Sequence, residues 1–514
     1  MNVLARMLAK ASALGALLAV AEPVLAARRF RSEKRESQVW EPGADELVLL
    51  KNAEVVDVLT GTVLHKRGIA IKAGRIEGIL TEKKAAALEG AKVLDAAGSH
   101  VIPGLINAHC HMLLAGTLVF TPEVFAAMGR QIERNFEECV IHGVTTVRDV
   151  GAMPLLLRRY IDRIEGGDLL GPRVYHAGAF INAPGGYPGM IPALPPLIAD
   201  KIGDFEFGVK TPAEAREAVE RNVAAGASLI KTAFDEHTLF VGQKPLPILD
   251  DASLRALVEA AHERGMKVAA HHRFRAGFLR GIAFGLDGME HLPMDEVLED
   301  AEVDDFVAGD RYIVPTAHVG WALCGVSDGD PYLDHPQVQQ ALASRLDVVK
   351  TLYPSVCETA IYKALLGFER NYRDPSFTQK RHLLFTLEPK IFTEAMVKGV
   401  ENLNKLYHAG ALIGCGNDGG TPQAFPGILG LEMIILESYT DMKPLDVLQA
   451  ATINNARIVG MEDELGTVSK GKLADLVLLP GNPLENMEHV LWPDAVFKQG
   501  KLVYTNHRRE LLGA

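Results

Sequence analysis

The chain has 514 residues, of which 48% are hydrophobic and 23% charged, and its formal net charge is −12 at pH 7. This composition is typical of a globular protein with a large buried core and excludes a disordered or low-complexity chain. The basic residues are scattered along the sequence, so no stripe of positive charge could follow a phosphate backbone, and we expect no nucleic-acid partner.

The first 26 residues have the order of an export signal. Two basic residues precede an apolar stretch at 11–21, and small residues at 24–26 predict cleavage after Ala26. The apolar stretch is about half of the ~20 residues that span a bilayer, and a Glu-Pro pair follows it, which disfavours a permanent membrane anchor. We therefore expect residues 1–26 to be a signal peptide of a protein exported to the periplasm or secreted.

The five cysteines are widely spaced, and their number is odd. Cys110 and Cys415 lie inside apolar strand patterns, and no C-x-x-C pair suggests a structural zinc site. We expect the thiols to be mostly free and buried.

Eight short apolar, β-rich runs follow between residues 101 and 417, with helical patterns between them. The clearest helix start is at 211–214, where Thr, Pro, Ala and Glu form an N-terminal capping pattern. Alternating strands and helices predict an α/β fold with a parallel sheet, and eight such strands favour a (β/α)8 TIM-type barrel over an open doubly wound sheet. The runs are Val101–Ala108, Val144–Val150, Val174–Ile181, Ser228–Phe234, Lys267–His271, Leu286–Glu290, Tyr312–Ala317 and Leu412–Asn417.

Both chain ends alternate hydrophobic and polar residues around this block. Residues 45–100 and 464–506 therefore predict one small β-sandwich built from both ends, flanking a barrel domain at 101–463. The segment 320–390, between the seventh and eighth runs, is too long for a simple crossover and contains helical patterns. We expect it to form a lid or rim over the barrel mouth.

Titratable residues collect where the predicted strands end, and the catalytic groups of such barrels lie at the carboxyl ends of strands. In the stretch VIPGLINAHCHM, His109 and His111 are spaced i, i+2 and point to the same face of a strand. Alone, this pair fits two hydrogen-bonded histidines as well as half of a metal site. The other residues at strand ends are Lys231, His271, His272, His291 and Asp418.

Several motifs together resemble the amidohydrolase superfamily, in its binuclear imidazolonepropionase-like and prolidase-like branch. The tail ADLVLLPGNPL at 474–484 is similar to the closing strands of that family. The other motifs are PGLINAHCH, IK at 230–231, VAAH ending at His271, MEH ending at His291 and NDGG containing Asp418.

The resemblance implies two divalent metal ions, usually zinc. One ion would be held by Asp418 and both histidines of His109-Cys110-His111, and the other by His271 and His291. Lys231 would bridge the two ions as a carbamate formed with carbon dioxide, a reaction that suits a neutral buried amine. Since strand neighbours alternate faces, only one of His271 and His272 can face the metals.

The implied activity is hydrolysis of a carbon–nitrogen amide bond of a small molecule, of the dipeptide or N-acyl amino acid type, by a hydroxide that bridges the two ions. Asp418 would accept the proton and pass it to the departing nitrogen. A loop that commonly carries a histidine in the family has Tyr187 here, in the sequence PGGYP. Tyr187 and His318, at the end of the seventh predicted strand, are candidate substrate-binding residues, although each fits a packed rim position equally well. A homo-oligomer is compatible with the sequence.

Three alternatives stay open. A serine hydrolase is suggested by Ser327 in the G-x-S-x-G pattern at 325–329, but the Asp-Pro pair that follows favours a loop over the required strand–turn–helix. A binding protein could keep the barrel without turnover. The same metal site could instead act on a cyclic amide, a phosphoester or a ring that it deaminates.

The export signal yields the first testable prediction. Because the small residues at 24–26 mark the cleavage site, exported protein should begin at or near Ala27. Intact-mass spectrometry of the exported material checks this, and a mass that still includes Met1 would contradict it.

Overall fold

The structure is a computed structural model that describes residues 40–117, 121–188, 196–236, 245–323, 346–365, 389–421 and 423–506. The predicted signal peptide, Ser327 and most of the predicted lid at 320–390 lie outside these ranges. Within them, no helix is both long enough and apolar enough to cross a membrane. The four described cysteines are buried and free, as the sequence predicts: Cys110, Cys139, Cys357 and Cys415.

The described strands are β1 (Val48–Val56), β2 (Val63–Lys72), β3 (Arg75–Thr81), β4 (Lys92–Asp95), β5 (His100–Pro103), β6 (Leu105–Cys110), β7 (Val144–Asp149), β8 (Arg173–His176), β9 (Phe180–Asn182), β10 (Glu206–Gly208), β11 (Leu229–Ala233), β12 (Lys267–His271), β13 (Gly288–Glu290), β14 (Tyr312–Val314), β15 (Leu412–Ile413), β16 (Leu476–Leu479), β17 (Ala495–Lys498) and β18 (Lys501–Thr505).

The described helices are α1 (Glu82–Ala86), α2 (Pro122–Ile141), α3 (Pro154–Glu165), α4 (Pro196–Ile202), α5 (Pro212–Ala224), α6 (Asp251–Glu263), α7 (Arg275–Ala283), α8 (Asp300–Ala308), α9 (Ala317–Leu323), α10 (Leu346–Val356), α11 (Pro389–His408), α12 (Leu429–Tyr439), α13 (Pro444–Gln449) and α14 (Asn455–Ile458), with a π-helical turn at Ala450–Asn454 and a 3₁₀ turn at Met487–Leu491. Helix α5 begins at the capping pattern found in the sequence, and the Thr211 hydroxyl accepts a hydrogen bond from the Glu214 backbone at 3.2 Å.

Strands from both chain ends pair in one sheet. Its order is β18-β17-β16-β5-β1-β2-β3, and β4 pairs with β1. Alternating apolar side chains from the two ends, among them Leu50, Ile69, Leu476 and Phe497, are buried in a common core. The two terminal segments are therefore folded together although more than 350 residues separate them.

Two predicted barrel strands are each divided in the structure. The run Val101–Ala108 forms β5, which pairs with β1 and β16 in the chain-end sheet, and β6, which pairs with β7. The division falls at Gly104. An added Cβ there would lie 2.1 Å from the hydroxyl of Thr145 in β7, so only glycine allows the backbone to pass this close to β7. The run Val174–Ile181 likewise forms β8, which pairs with β7, and β9, which pairs with β10.

The remaining strands are parallel and carry the titratable residues. Strands β6-β7-β8 form one sheet and β11-β12-β13-β14-β15 another. Backbone hydrogen bonds also join these sheets, from Ser228 to His176 at 2.8 Å and from Ala108 to Cys415 at 3.0 Å. The first and last of the predicted barrel strands therefore lie side by side, and their carboxyl ends meet at one edge.

Glycines in the last run make this close approach to β6 possible. A Cβ on Gly416 would lie 2.6 Å from the His109 backbone nitrogen, and a Cβ on Gly420, at φ 106°, would lie 2.2 Å from the His111 carbonyl oxygen. Real Cβ atoms do not come this close, so the sequence CGNDGG at 415–420 is needed to bring the two strands together.

We predict that Gly416→Ala lowers the free energy of unfolding by about 1–3 kcal/mol, because the added methyl group overpacks the contact with His109. Gly78→Ala in β3 is the matched control, since its Cβ would meet only an ordinary contact at 3.9 Å. Urea denaturation of both variants measures the difference. Equal stability of the two variants would contradict the close approach.

Candidate metal centre

His109, His111 and Asp418 form a compact, buried group of side chains that could hold a metal ion. The Nε2 atoms of both histidines lie 3.4 Å from Asp418 Oδ1, and the three donor atoms all lie within 4.8 Å of one another. No other group of three His, Cys, Asp or Glu side chains in the described ranges meets this distance. Three such donors are the protein contribution typical of one catalytic zinc ion.

Hydrogen bonds fix how both histidines face this group. His109 Nδ1 lies 2.6 Å from Glu290 Oε2, and His111 Nδ1 lies 2.9 Å from the Gly151 carbonyl oxygen. Since both partners are acceptors, each Nδ1 donates, and each Nε2 is directed toward Asp418. This is the usual way in which a second contact orients a metal-binding imidazole.

His271 and His291 lie directly beside this group. Their ring centroids are 4.4 Å apart, and His291 is 4.8 Å from the ring of His109. Burial lowers the pKa of His271 to about 4 and that of His291 well below its ordinary value. Burial therefore favours the neutral form of both imidazoles, which is the form that binds a metal ion.

His272 faces away from the site. Its ring packs against the edge of Phe278 in α7, with centroids 5.6 Å apart, and its two ring nitrogens have no hydrogen-bond partner among the described residues. The structure therefore places His271, and not His272, beside His291.

Lys231 lies on β11, in register with Ala269 of β12, and is almost completely buried. Its Nζ has no hydrogen-bond partner in the described part of the chain. Burial lowers the pKa of Lys231 to about 8, so a substantial fraction of the amine is neutral near that pH. A buried ammonium group without a partner is unfavourable, whereas a neutral amine that becomes a metal-bridging carbamate fits this position.

The ionisation of Asp418 is set by its histidine neighbours. Burial favours the protonated form, but the neighbouring imidazoles of His109 and His111 outweigh it and hold the pKa of Asp418 well below its usual range. Asp418 has φ 51° and His291 has φ 75°, backbone conformations that cost of order 1 kcal/mol or more for a residue with a side chain. Such backbone strain is often found at residues of active sites and ligand-binding sites.

Sequence reasoning missed the side chains that hold the site together. Asn107 donates to Asn417 at 2.8 Å, and each asparagine oxygen accepts a backbone hydrogen bond beside a metal-binding residue. Asp235 accepts from His271 Nε2 at 2.9 Å and is paired with Arg273. A signal was available, because each of these polar residues stands within or just after an apolar strand.

The two candidate substrate-binding residues lie in different settings. The Tyr187 ring stacks on His271, with centroids 3.7 Å apart. His318 does not end a strand as predicted, because β14 stops at Val314 and His318 lies in the first turn of α9. The His318 backbone nitrogen donates to Glu432 at 2.6 Å, and burial lowers the pKa of its ring to about 4 against the opposing charge of Asp418.

A model of the Amidohydrolase family matches residues 100–503, a span that includes all of these side chains. The chain belongs to the amidohydrolase family. As a member of this family, the protein is a hydrolase that acts on carbon–nitrogen bonds, which confirms the resemblance seen in the sequence.

Known relatives cover most of the amidohydrolase chain. Ochratoxinase from Aspergillus niger is 23% identical over 432 residues, covering 78% of this chain and 75% of its own. The structure of a Xaa-Pro dipeptidase with bound methionine in its active site has a TM-score of 0.65 and 23% identity, covering 90% of this chain and 100% of its own. Adenine deaminase from Staphylothermus marinus is 24% identical over 464 residues, covering 89% of this chain and 57% of its own. These neighbours indicate a fold of the TIM-barrel type.

We predict that Asp235→Asn lowers the free energy of unfolding by about 3 kcal/mol at pH 7, because it removes a buried carboxylate charge that contacts both Arg273 and His271. The control Asp162→Asn removes one of the two carboxylates paired with Arg158 at an exposed site, the other being Glu165, and should cost less than about 1 kcal/mol. Urea denaturation of chelator-treated protein measures both. Equal losses would contradict the buried pair.

The stability difference between the parent protein and Asp235→Asn should depend on pH. His271 and Arg273 outweigh the effect of burial and hold the pKa of Asp235 well below its usual range. A carboxylate with a lowered pKa stabilises the fold above its unfolded pKa of about 3.9, and this contribution declines as the pH falls further. The gap between the parent protein and Asp235→Asn should therefore narrow below about pH 4.

Proposed function

We propose that this amidohydrolase cleaves the amide bond of a small molecule that carries a free carboxylate, such as a dipeptide or an N-acyl amino acid. The observation that carries the proposal is the group of His109, His111 and Asp418 beside the buried, unpartnered amine of Lys231. His271 and His291 complete a set of donors suited to two divalent ions, for which we expect zinc.

The proposed roles follow from the state of each side chain. Two divalent ions, when bound, would polarise the scissile carbonyl group and lower the pKa of water. Its histidine neighbours hold the pKa of Asp418 low, so its carboxylate would accept a proton from the attacking water and return it to the departing nitrogen. The neutral Lys231 amine would add to carbon dioxide, forming a nitrogen–carbon bond and releasing one proton, and the resulting carbamate would supply an anionic oxygen pair to help hold the ions.

The substrate class rests on the relatives and on the surroundings of the site. The likeness to the solved Xaa-Pro dipeptidase supports a substrate whose amide bond joins an amino acid. We propose that Tyr187, stacked on His271, and His318, near Asp418, contact the substrate. Deamination is a second candidate, because adenine deaminase matches 89% of this chain. A cyclic amide or phosphoester substrate and the serine alternative have no such support.

We further propose that the parallel strands are arcs of one closed (β/α)8 barrel and that the chain-end sheet folds into a small β-sandwich. The hydrogen bonds from Ser228 to His176 and from Ala108 to Cys415 support closure. Because β5 belongs to the chain-end sheet, the boundary of the barrel domain then lies after Pro103.

We predict that Lys231→Ala lowers the metal content toward one ion or none and lowers turnover with it, because the repulsion between two cations loses its compensating bridge. A short carboxylic acid added to this variant should partly restore both, since the missing group is a carboxylate equivalent. Lys498→Ala is the control: burial also lowers the pKa of Lys498 to about 8, but its Nζ is bound to the Gly171 carbonyl oxygen. Metal analysis of both variants tests the carbamate bridge, which is wrong if Lys231→Ala retains two ions per chain.

Asp418→Asn separates metal binding from proton transfer. The amide keeps the shape and an oxygen donor but cannot take the proton, so turnover should fall by at least ~10²-fold while metal content falls less. Loss of the metal with no further loss of turnover per bound ion would assign Asp418 a purely ligating role.

A hydrolysis screen tests the substrate proposal directly. Dipeptides and N-acyl amino acids should be cleaved, a chelator should abolish cleavage, and Ser327→Ala should retain turnover within a few-fold. Activity only on adenine-type rings would favour the deaminase alternative. A folded Ser327→Ala protein without activity would favour the serine alternative.

A further inference from the structure

A fully buried ion pair lies directly beneath the candidate metal centre. Arg148 of β7 donates from Nη2 to Glu290 Oε1 of β13 at 2.5 Å, and both side chains are at most 2% exposed. Arg148 also donates from Nη1 to the Tyr312 hydroxyl at 2.7 Å and from Nε to the Ala108 carbonyl oxygen at 2.5 Å. The guanidinium group therefore connects β6 and β7, which belong to one parallel sheet, with β13 and β14, which belong to the other.

The second oxygen of Glu290 faces the metal centre. Glu290 Oε2 lies 2.6 Å from His109 Nδ1, whereas Oε1 accepts from Arg148. Glu290 thus contacts a proposed metal ligand with one oxygen and the buried arginine with the other. A buried charge pair is costly unless each partner is fully satisfied, and here Arg148 and His109 together satisfy both oxygens.

We propose that Glu290 is a positioning residue that sets the metal affinity of the site through His109, and that Arg148 keeps its carboxylate in place. A carboxylate that accepts the Nδ1 proton fixes the tautomer in which His109 presents its Nε2 lone pair, and makes that nitrogen a stronger donor. The inference rests on the proposed metal site and adds to it a group that touches neither metal nor substrate.

Zinc affinity, measured by competition with a chromophoric chelator, tests the role of Glu290. Glu290→Gln keeps the size of the side chain but removes its charge, so zinc should bind about 10- to 100-fold more weakly. Tyr312→Phe is the matched control, because it removes another hydrogen bond of Arg148 without touching Glu290 or His109. It should bind zinc within about threefold of the parent. This limit lies below the roughly 10-fold loss that is expected when a group that orients a metal ligand is removed.

A double variant separates positioning from stability. Arg148→Met combined with Glu290→Gln removes both charges, so it should recover stability relative to Glu290→Gln alone and still bind zinc weakly. If zinc affinity recovers together with stability, or if Glu290→Gln binds zinc as tightly as the parent, the positioning role is wrong. If the parent itself binds no zinc at this site, the proposed function fails as well.

A measurement on the unaltered protein keeps the test independent of how the variants fold. In ¹⁵N-histidine NMR spectra of the metal-free protein, His109 should carry its proton on Nδ1, and on addition of zinc only its Nε2 resonance should shift as a metal ligand. A proton on Nε2 alone, with Nδ1 bare, would overturn the inference.

Discussion

The candidate site depends on one contact, the pairing of the first parallel strand with the last. The Asp418 backbone nitrogen donates to the His109 carbonyl oxygen at 3.0 Å, so two residues more than 300 positions apart in the chain are held side by side. This pairing places the Asp418 carboxylate 3.4 Å from two imidazole nitrogens. It is possible only because glycines occupy the positions where a Cβ would collide with β6.

The electrostatics of the site follow from burial. Every side chain proposed to bind a metal is at most 8% exposed, so each charge must be balanced by a neighbour or suppressed. The carboxylate of Asp235 is paired with Arg273, and that of Glu290 with Arg148. Each carboxylate also contacts an imidazole of the site, His271 and His109 respectively. Lys231 differs from these two carboxylates: its Nζ has no hydrogen-bond partner among the described residues, and burial lowers its pKa to about 8. That imbalance is what a carbamate between two cations would remove.

The sequence predicted the parallel strands and their titratable ends well because both are local properties. Apolar runs flanked by helical patterns mark the strands, and the motif HCH fixes two side chains on one face by strand geometry alone. The division of Val101–Ala108 between two sheets was not predictable, since its cause is the contact between Gly104 and Thr145, which are distant in sequence. The same limit applies to Arg148, whose partners Glu290 and Tyr312 lie about 140 or more residues away. His318 was placed at a strand end because the predicted strand extended past Pro315 and Thr316, whereas β14 ends at Val314, directly before that proline.

The central claim is that the six side chains hold two metal ions. Crystals of the protein grown with zinc, measured on both sides of the zinc absorption edge, test it most directly. The account predicts two anomalous peaks beside Lys231, one bonded to His109, His111 and Asp418 and the other to His271 and His291. A single peak, or peaks bonded to other side chains while these six remain in contact with one another, would contradict it.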